Sequence, residues 1–195
     1  MTAIVRPAIA VVALFTLLLG LAVPLAFTGL ATLVLPTEAG GSLVERDGRV
    51  IGSSLIGQNV TSARYFHPRP SATTEADPDN DGGTRAAPYN AASSAASQLG
   101  PTSAALLEAV RARVVASGSA TLPADAATAS ASGLDPHISP ENAARQVARV
   151  ARQRGLPEAR VAALVAQHTE DREFNLLGET RVSVLRLNLA LDALR

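Results

Sequence analysis

The feature that most constrains this chain lies near its start. From Pro7 to Thr37 no side chain can ionise, and Ala8 to Leu35 is built mainly from Leu, Val, Ala, Ile and Phe. As a helix rising about 1.5 Å per residue the run reaches roughly 42 Å, longer than the ~30 Å hydrocarbon core of a bilayer. In hydrocarbon a helix satisfies every backbone amide without water. The run far exceeds the apolar region of a signal peptide, and Gly29-Leu30-Ala31 is its one small-residue cleavage candidate. A retained transmembrane helix over 8–35 is therefore favoured over a cleaved signal or a buried core helix. Pro24 falls mid-span, where its ring meets the Gly20 carbonyl, which predicts a local bend. Thr16 with Gly20, and Ala22 with Ala26, are small residues at the spacing that lets another helix approach closely.

The flanks set an orientation. Arg6 and the free amino terminus precede the span, and Glu38 is the first charge after it. The positive-inside bias then predicts a single-pass protein of the cell membrane, with residues 1–7 a short cytoplasmic N-terminus and 36–195 an extracytoplasmic domain. Seventeen basic residues balance seventeen acidic ones, every basic residue is Arg, and none forms a cluster that would serve nucleic acid. Without Lys there is no P-loop lysine or Schiff base, and without Cys no disulfide or thiolate chemistry. The outer domain is left to packing and partners for its stability.

Its local patterns read as α+β: a single soluble domain with a small sheet and about four helices. Leu43 to Gly52 places two β-prone runs around Asp47-Gly48, a hairpin with a type I′ turn that is expected to continue through Leu55 and Ile56 and to start the sheet. Asp77 to Gly82 imitates the opening of an EF-hand loop, but the twelfth position falls on Pro88 where a bidentate Glu is needed, so a solvated acidic turn is favoured and no metal is assigned. Thr102 is the expected cap of a helix carrying Leu106, Leu107, Val110, Val114 and Val115 to a stop near Gly118. Residues 119–132 read as a surface loop. Ser139 and Pro140 open a helix through Ala143, Val147, Val150 and Ala151 that stops at Gly155, and Pro157 opens another with Val161, Leu164, Val165 and His168. A strand over 181–184 and a closing apolar helix over 185–194 complete the domain.

Two dense clusters stand out as partner-binding candidates: Tyr65, Phe66, Arg69, Pro70 and Ser71, and Gly133, Leu134, Asp135 and His137. Prolines hold both segments extended, and Tyr, Phe and Arg are enriched at interface hot spots. The bland alternative is an aromatic plug over the sheet. A relay of Asp135, His137 and Ser139 is conceivable, but the histidines are dispersed and no hydrolase or nucleotide motif is present, so no catalytic residue is assigned.

In order along the chain, Tyr65-Phe66 with Arg69-Pro70-Ser71-Ala72, Pro88-Tyr89-Asn90 with Ser97 to Thr102, Thr128 to Ser139, and Gly178-Glu179 with Val182 to Asp192 resemble the C subunit of the Kdp potassium-transporting ATPase of bacteria and archaea. The likeness spans the whole chain. It departs at His67-Pro68, where many members have Gly before the Arg, and at Gln98 and Ser103, where Asn is frequent; 73–87 matches no motif of the family. The resemblance implies a non-catalytic accessory subunit of an ATP-driven, high-affinity potassium importer. Its partners would be a channel-like potassium-translocating subunit, a P-type ATPase subunit, a small membrane peptide and membrane lipid. It further implies a role in assembly and, as a catalytic chaperone, in raising the ATPase subunit's affinity for ATP. ATP would enter through the complex, since an outer domain cannot reach it. The alternative from another class is a membrane-anchored binding module or small hydrolase acting alone.

Overall fold

The computed structural model describes residues 2–194. The chain divides into two compact units, one up to Ile51 and one from Gly52 onward. In the first, helix α1 (Thr2–Leu17) runs into a π-helical turn at Leu18–Ala22 and then α2 (Val23–Val34). Among the described residues Ala3–Val34 is the helix long and apolar enough to cross a membrane, and none of its apolar window is buried. Helical structure thus begins before Arg6 and Pro7. The disturbance expected at Pro24 takes the form of the π turn: the Val23 N–H bonds the Leu18 carbonyl, five residues back. A turn widened by one residue brings the proline ring in without forcing it against the α-helical ladder.

A single helical turn, α3 (Pro36–Ala39), precedes the hairpin of β1 (Leu43–Arg46) and β2 (Arg49–Ser53). Asp47 and Gly48 both have positive φ, 53° and 73°, as a type I′ turn requires. The hairpin does not continue through Leu55 and Ile56. The chain turns back at Ser53, which bridges Ile56, and the hairpin is a sheet of its own instead of the first edge of the domain's sheet.

In the second unit β3 (Thr74–Ala76) and β4 (Thr84–Ala86) pair antiparallel across the acidic turn, in a stretch for which the sequence suggested no element. Strands, not EF-hand helices, flank Asp77–Gly82. Helix α4 (Ala104–Ser117) is capped by Ser103, one residue later than expected, because a turn closed by the Ser103 N–H on the Gly100 carbonyl puts that hydroxyl 3.4 Å from the Leu106 N–H. The loop read over 119–132 contains one helical turn, α5 (Ala124–Ala127). After β5 (His137–Ile138), α6 (Pro140–Arg154) begins and ends as expected, with Ser139 accepting from the Asn142 N–H at 3.0 Å and Gly155 left-handed at φ 66°. Helix α7 (Glu158–Gln167), β6 (Thr169–Glu170), β7 (Arg181–Ser183) and α8 (Val184–Ala193) follow, and the sheet is antiparallel in the order β5-β7-β6. Among the described residues the α+β domain therefore has four full helices and one short turn.

The core lies between α6, α7, α8 and β7. Ala143, Val147, Val150 and Ala151 of α6 meet Val161, Leu164 and Val165 of α7 and Leu187 and Leu191 of α8, with Phe66 and Ile138 closing the cluster. Each fully buried Val, Leu or Phe contributes about 1.5–3 kcal/mol relative to exposure, so these few contacts dominate the stability of the unit.

Candidate functional site

The first cluster comes from a segment with no regular structure, so its backbone polar groups need partners from side chains. Two buried amides supply them. Asn188 of α8 accepts from the Phe66 N–H at 2.8 Å and donates to the Phe66 carbonyl at 3.0 Å, while Gln146 of α6 does the same for His67 at 2.8 and 3.1 Å. Arginines hold the preceding carbonyls: Arg149 donates to Ala63 and Tyr65, and Arg154 to Arg64. The segment is thus gripped as a strand would be by its neighbour. Arg154 also lies 4.7 Å over the Tyr65 ring and 2.8 Å from Asp192, which accepts the Tyr65 hydroxyl at 3.1 Å.

Phe66 is fully buried in this arrangement. Its ring is a core residue and offers a partner nothing, which favours the aromatic-plug reading at that position. Arg69 turns the other way and meets the second cluster, donating to Asp135 at 2.9 Å. Burial alone would raise the Asp135 carboxyl, but the His137 imidazole, the His137 N–H at 3.0 Å and the Arg69 guanidinium outweigh it and hold the group below the ordinary carboxylate range. The Nε of Arg69 is buried with no acceptor.

Beside this pair Ser71 ties the two clusters together. Its hydroxyl donates to the Gly133 carbonyl at 2.8 Å and accepts from the Tyr89 N–H at 3.1 Å. Gly133 sits at φ 70°, and a Cβ there would lie 2.5 Å from the Thr73 methyl and 2.8 Å from the Ala95 carbonyl, so only glycine fits. The Pro70 carbonyl accepts from Ser130, and Leu134 accepts from Gly57. Tyr89 donates to the Arg69 carbonyl at 2.8 Å, and burial pushes its phenol well above the usual range, with the Asp135 charge adding to the effect.

Arg69, Asp135 and His137 open onto a surface cleft of about 620 Å³ that is also lined by Asp125, Ser139, Glu141, Glu179 and Arg181. Ser139 does not complete a relay there. Its hydroxyl donates to Asp125 at 2.8 Å while capping α6, and the His137 Nδ1 is 3.6 Å from Asp135. A serine so engaged is not poised as a nucleophile for His137. Of the residues singled out in the sequence, Arg69, Ser71, Gly133, Asp135 and His137 converge, whereas Tyr65 and Phe66 belong to the opposite side of their segment. Gln146, Arg149, Asn188 and Asp125 escaped the sequence reading. Asn142 and Gln146, polar residues on the apolar side of α6, were the available sign that this helix face holds a loop.

The structure defines a class: an α+β protein with one N-terminal helix long and apolar enough to cross a membrane, and a polar network that locks loops together beside an open cleft. Residues 5–193 match the KdpC family, described as K+-transporting ATPase, c chain. The chain is 56% identical over 193 residues to the potassium-transporting ATPase KdpC subunit of Rhodopseudomonas palustris strain BisB18, covering 97% of both chains. It is 54% identical to that of Methylorubrum populi, over 97% of this chain and 96% of the relative, and 52% identical to that of Bradyrhizobium diazoefficiens, over 96% of each. The chain belongs to the KdpC family of potassium-transporting ATPase subunits. Membership makes the other subunits of the Kdp complex its partners.

Proposed function

We propose that this chain is a non-catalytic accessory subunit that stabilises the assembled potassium importer from outside the cytoplasm. The span docks against the channel-like potassium-translocating subunit within the bilayer. The domain sits over that subunit's extracellular mouth, and the surface around Arg69, Asp135 and His137 is its contact. The P-type ATPase subunit and the small membrane peptide complete the assembly. Any effect on the ATPase subunit's affinity for ATP is transmitted through the complex, by contacts that differ between two transporter states.

The observation that carries this reading is the convergence of two proline-framed motifs, 66 residues apart at Arg69 and Asp135, on one open cleft. A pair whose side chains are 24% and 27% exposed is rigid enough to be pre-organised and open enough to be touched. Replacing Arg69 or Asp135 by Ala is expected to reduce the other Kdp subunits recovered with the tagged chain from detergent and to lower growth in limiting potassium. Wild-type recovery and transport in both variants would place the interface elsewhere.

A further inference from the structure

A second cleft, of about 550 Å³, opens between α4, α6 and the proline-framed segment, and its charge is the reverse of the first. Asp125, Asp135, Glu141 and Glu179 line the first; no carboxylate lines this one, which carries Arg113, Arg145 and Arg149. The helical turn α5 divides them, lining the first with Ala124 and Asp125 and the second with Ala126. They stay joined through Asn142, which lines the second cleft and donates to Asp125 at 2.9 Å. The three arginines meet neutral acceptors: Arg113 donates to the Ala127 carbonyl at 2.7 Å, Arg145 to the Asn142 side-chain oxygen at 3.2 Å, and Arg149 to that of Gln146 at 2.6 Å as well as to the carbonyls of Ala63 and Tyr65. Among the described residues none of the three makes an ion pair, whereas Arg69, Arg85, Arg154, Arg172, Arg181 and Arg186 all do. The cluster is felt by its members. Burial and then Arg145 lower the pKa of Arg149, and burial, followed by Arg149 and Arg145, holds the His67 imidazole in the same cleft below its ordinary value, against the bond to the Ser62 carbonyl.

A concave site with three uncompensated guanidinium groups is built for an anion. Arg113 and Arg145 each make one hydrogen bond within the chain from a fork of five donors, so both can still grip an oxyanion. The rest of the lining narrows the choice. Pro68, Pro70 and Leu122 give the cleft an apolar wall. A hydrated inorganic ion gains nothing from such a wall, whereas an Asp or Glu side chain buries its methylene stem there and presents two oxygens to the guanidinium fork. Among the partners in the complex, the potassium-translocating subunit has the physical reason to offer such groups, because pathways that admit cations carry rings of Asp and Glu at their mouths. A basic cleft on a domain seated over that mouth matches it in charge.

We infer that the cleft of Arg113, Arg145 and Arg149 receives carboxylate side chains from the outer mouth of the potassium-translocating subunit, which rests on the position proposed above for the domain. The chain contains no Lys, so Arg113→Lys or Arg145→Lys introduces its one side-chain amine. Each variant, in the intact complex with the full-length chain, is treated with a water-soluble carbodiimide, which joins an amine only to a carboxylate in contact with it. The expected product is an amide-linked adduct with the potassium-translocating subunit that the wild-type chain does not form. The double variant Arg113→Glu with Arg145→Glu, checked for folding by circular dichroism, is expected to lower recovery of that subunit by about tenfold. Adducts only with another subunit or with a second copy of this chain, or no adduct from either lysine in an assembled complex, would overturn the inference. So would wild-type recovery with the double variant. A loss of recovery confined to the Arg69 and Asp135 variants would sink this contact and keep the one proposed above, whereas wild-type recovery in all of them would remove both.

Discussion

Helices α4 and α6 begin and end alike, yet the fold uses them oppositely. Each is capped by a serine hydroxyl, at Ser103 and Ser139, and each stops at a left-handed glycine, Gly118 at φ 63° and Gly155 at φ 66°. Helix α6 buries six residues, among them Val150 at 0% exposure, whereas α4 buries none and leaves Val115 80% exposed. Local capping decides where a helix forms, and tertiary packing decides what it contributes. The chain places its stability in α6 and its neighbours and leaves α4 as a peripheral element.

Matched substitutions sharpen that contrast. Val150→Ala is expected to lower the unfolding free energy of the domain by about 2–3 kcal/mol, whereas Val115→Ala in the open helix changes it by about 0.5 kcal/mol or less, both read from thermal or denaturant melts followed by circular dichroism. Equal effects would mean that α4 is as deeply packed in solution as α6. The caps should differ in the same sense. Ser139→Ala removes a cap that also donates to Asp125 and is expected to cost about 1–2 kcal/mol, against about 0.5–1 kcal/mol for Ser103→Ala, whose bond is longer. The smallest expected effect is in acid. Asp135 is held below its unfolded pKa of about 3.9, so its contribution is complete above that value and is lost as pH falls through the folded value. Wild type should therefore lose stability relative to Asp135→Asn only below about pH 4, and a difference that persisted unchanged in acid would contradict the role given to this carboxyl.

The same two helices show what was legible in the sequence. Both were visible from periodicity and punctuation, and Ser139, Pro140 and Gly155 marked α6 to the residue. The spacing of Leu107 and Val115 resembled a core stripe as much as that of Val147 and Val150 did, because periodicity records that a face is apolar, not what covers it. The β3–β4 hairpin was hidden for the converse reason. Its strands, Thr74–Ala76 and Thr84–Ala86, have no apolar alternation and are joined by the ladder and by Glu75 with Arg85 at 2.6 Å. In the candidate site, the dense clusters at 65–71 and 133–137 were readable by composition, and Arg69, Ser71, Gly133 and Asp135 meet. What holds them was not readable, since Gln146 and Asn188 act through long-range bonds to loop backbone, which leave no local pattern. Phe66 stood in the partner-facing cluster by sequence and is a core residue by packing.

Whether the domain works outside the cytoplasm is directly measurable, because the chain has no cysteine of its own. A cysteine introduced at Asp79, in the exposed acidic turn, can be challenged with a membrane-impermeant maleimide in intact cells of a strain with an assembled complex. Labelling in intact cells, equal to that after lysis, is the expected result. A cysteine that reacts only after lysis would put the domain in the cytoplasm, remove the proposed position over the extracellular mouth, and return direct contact with ATP to consideration.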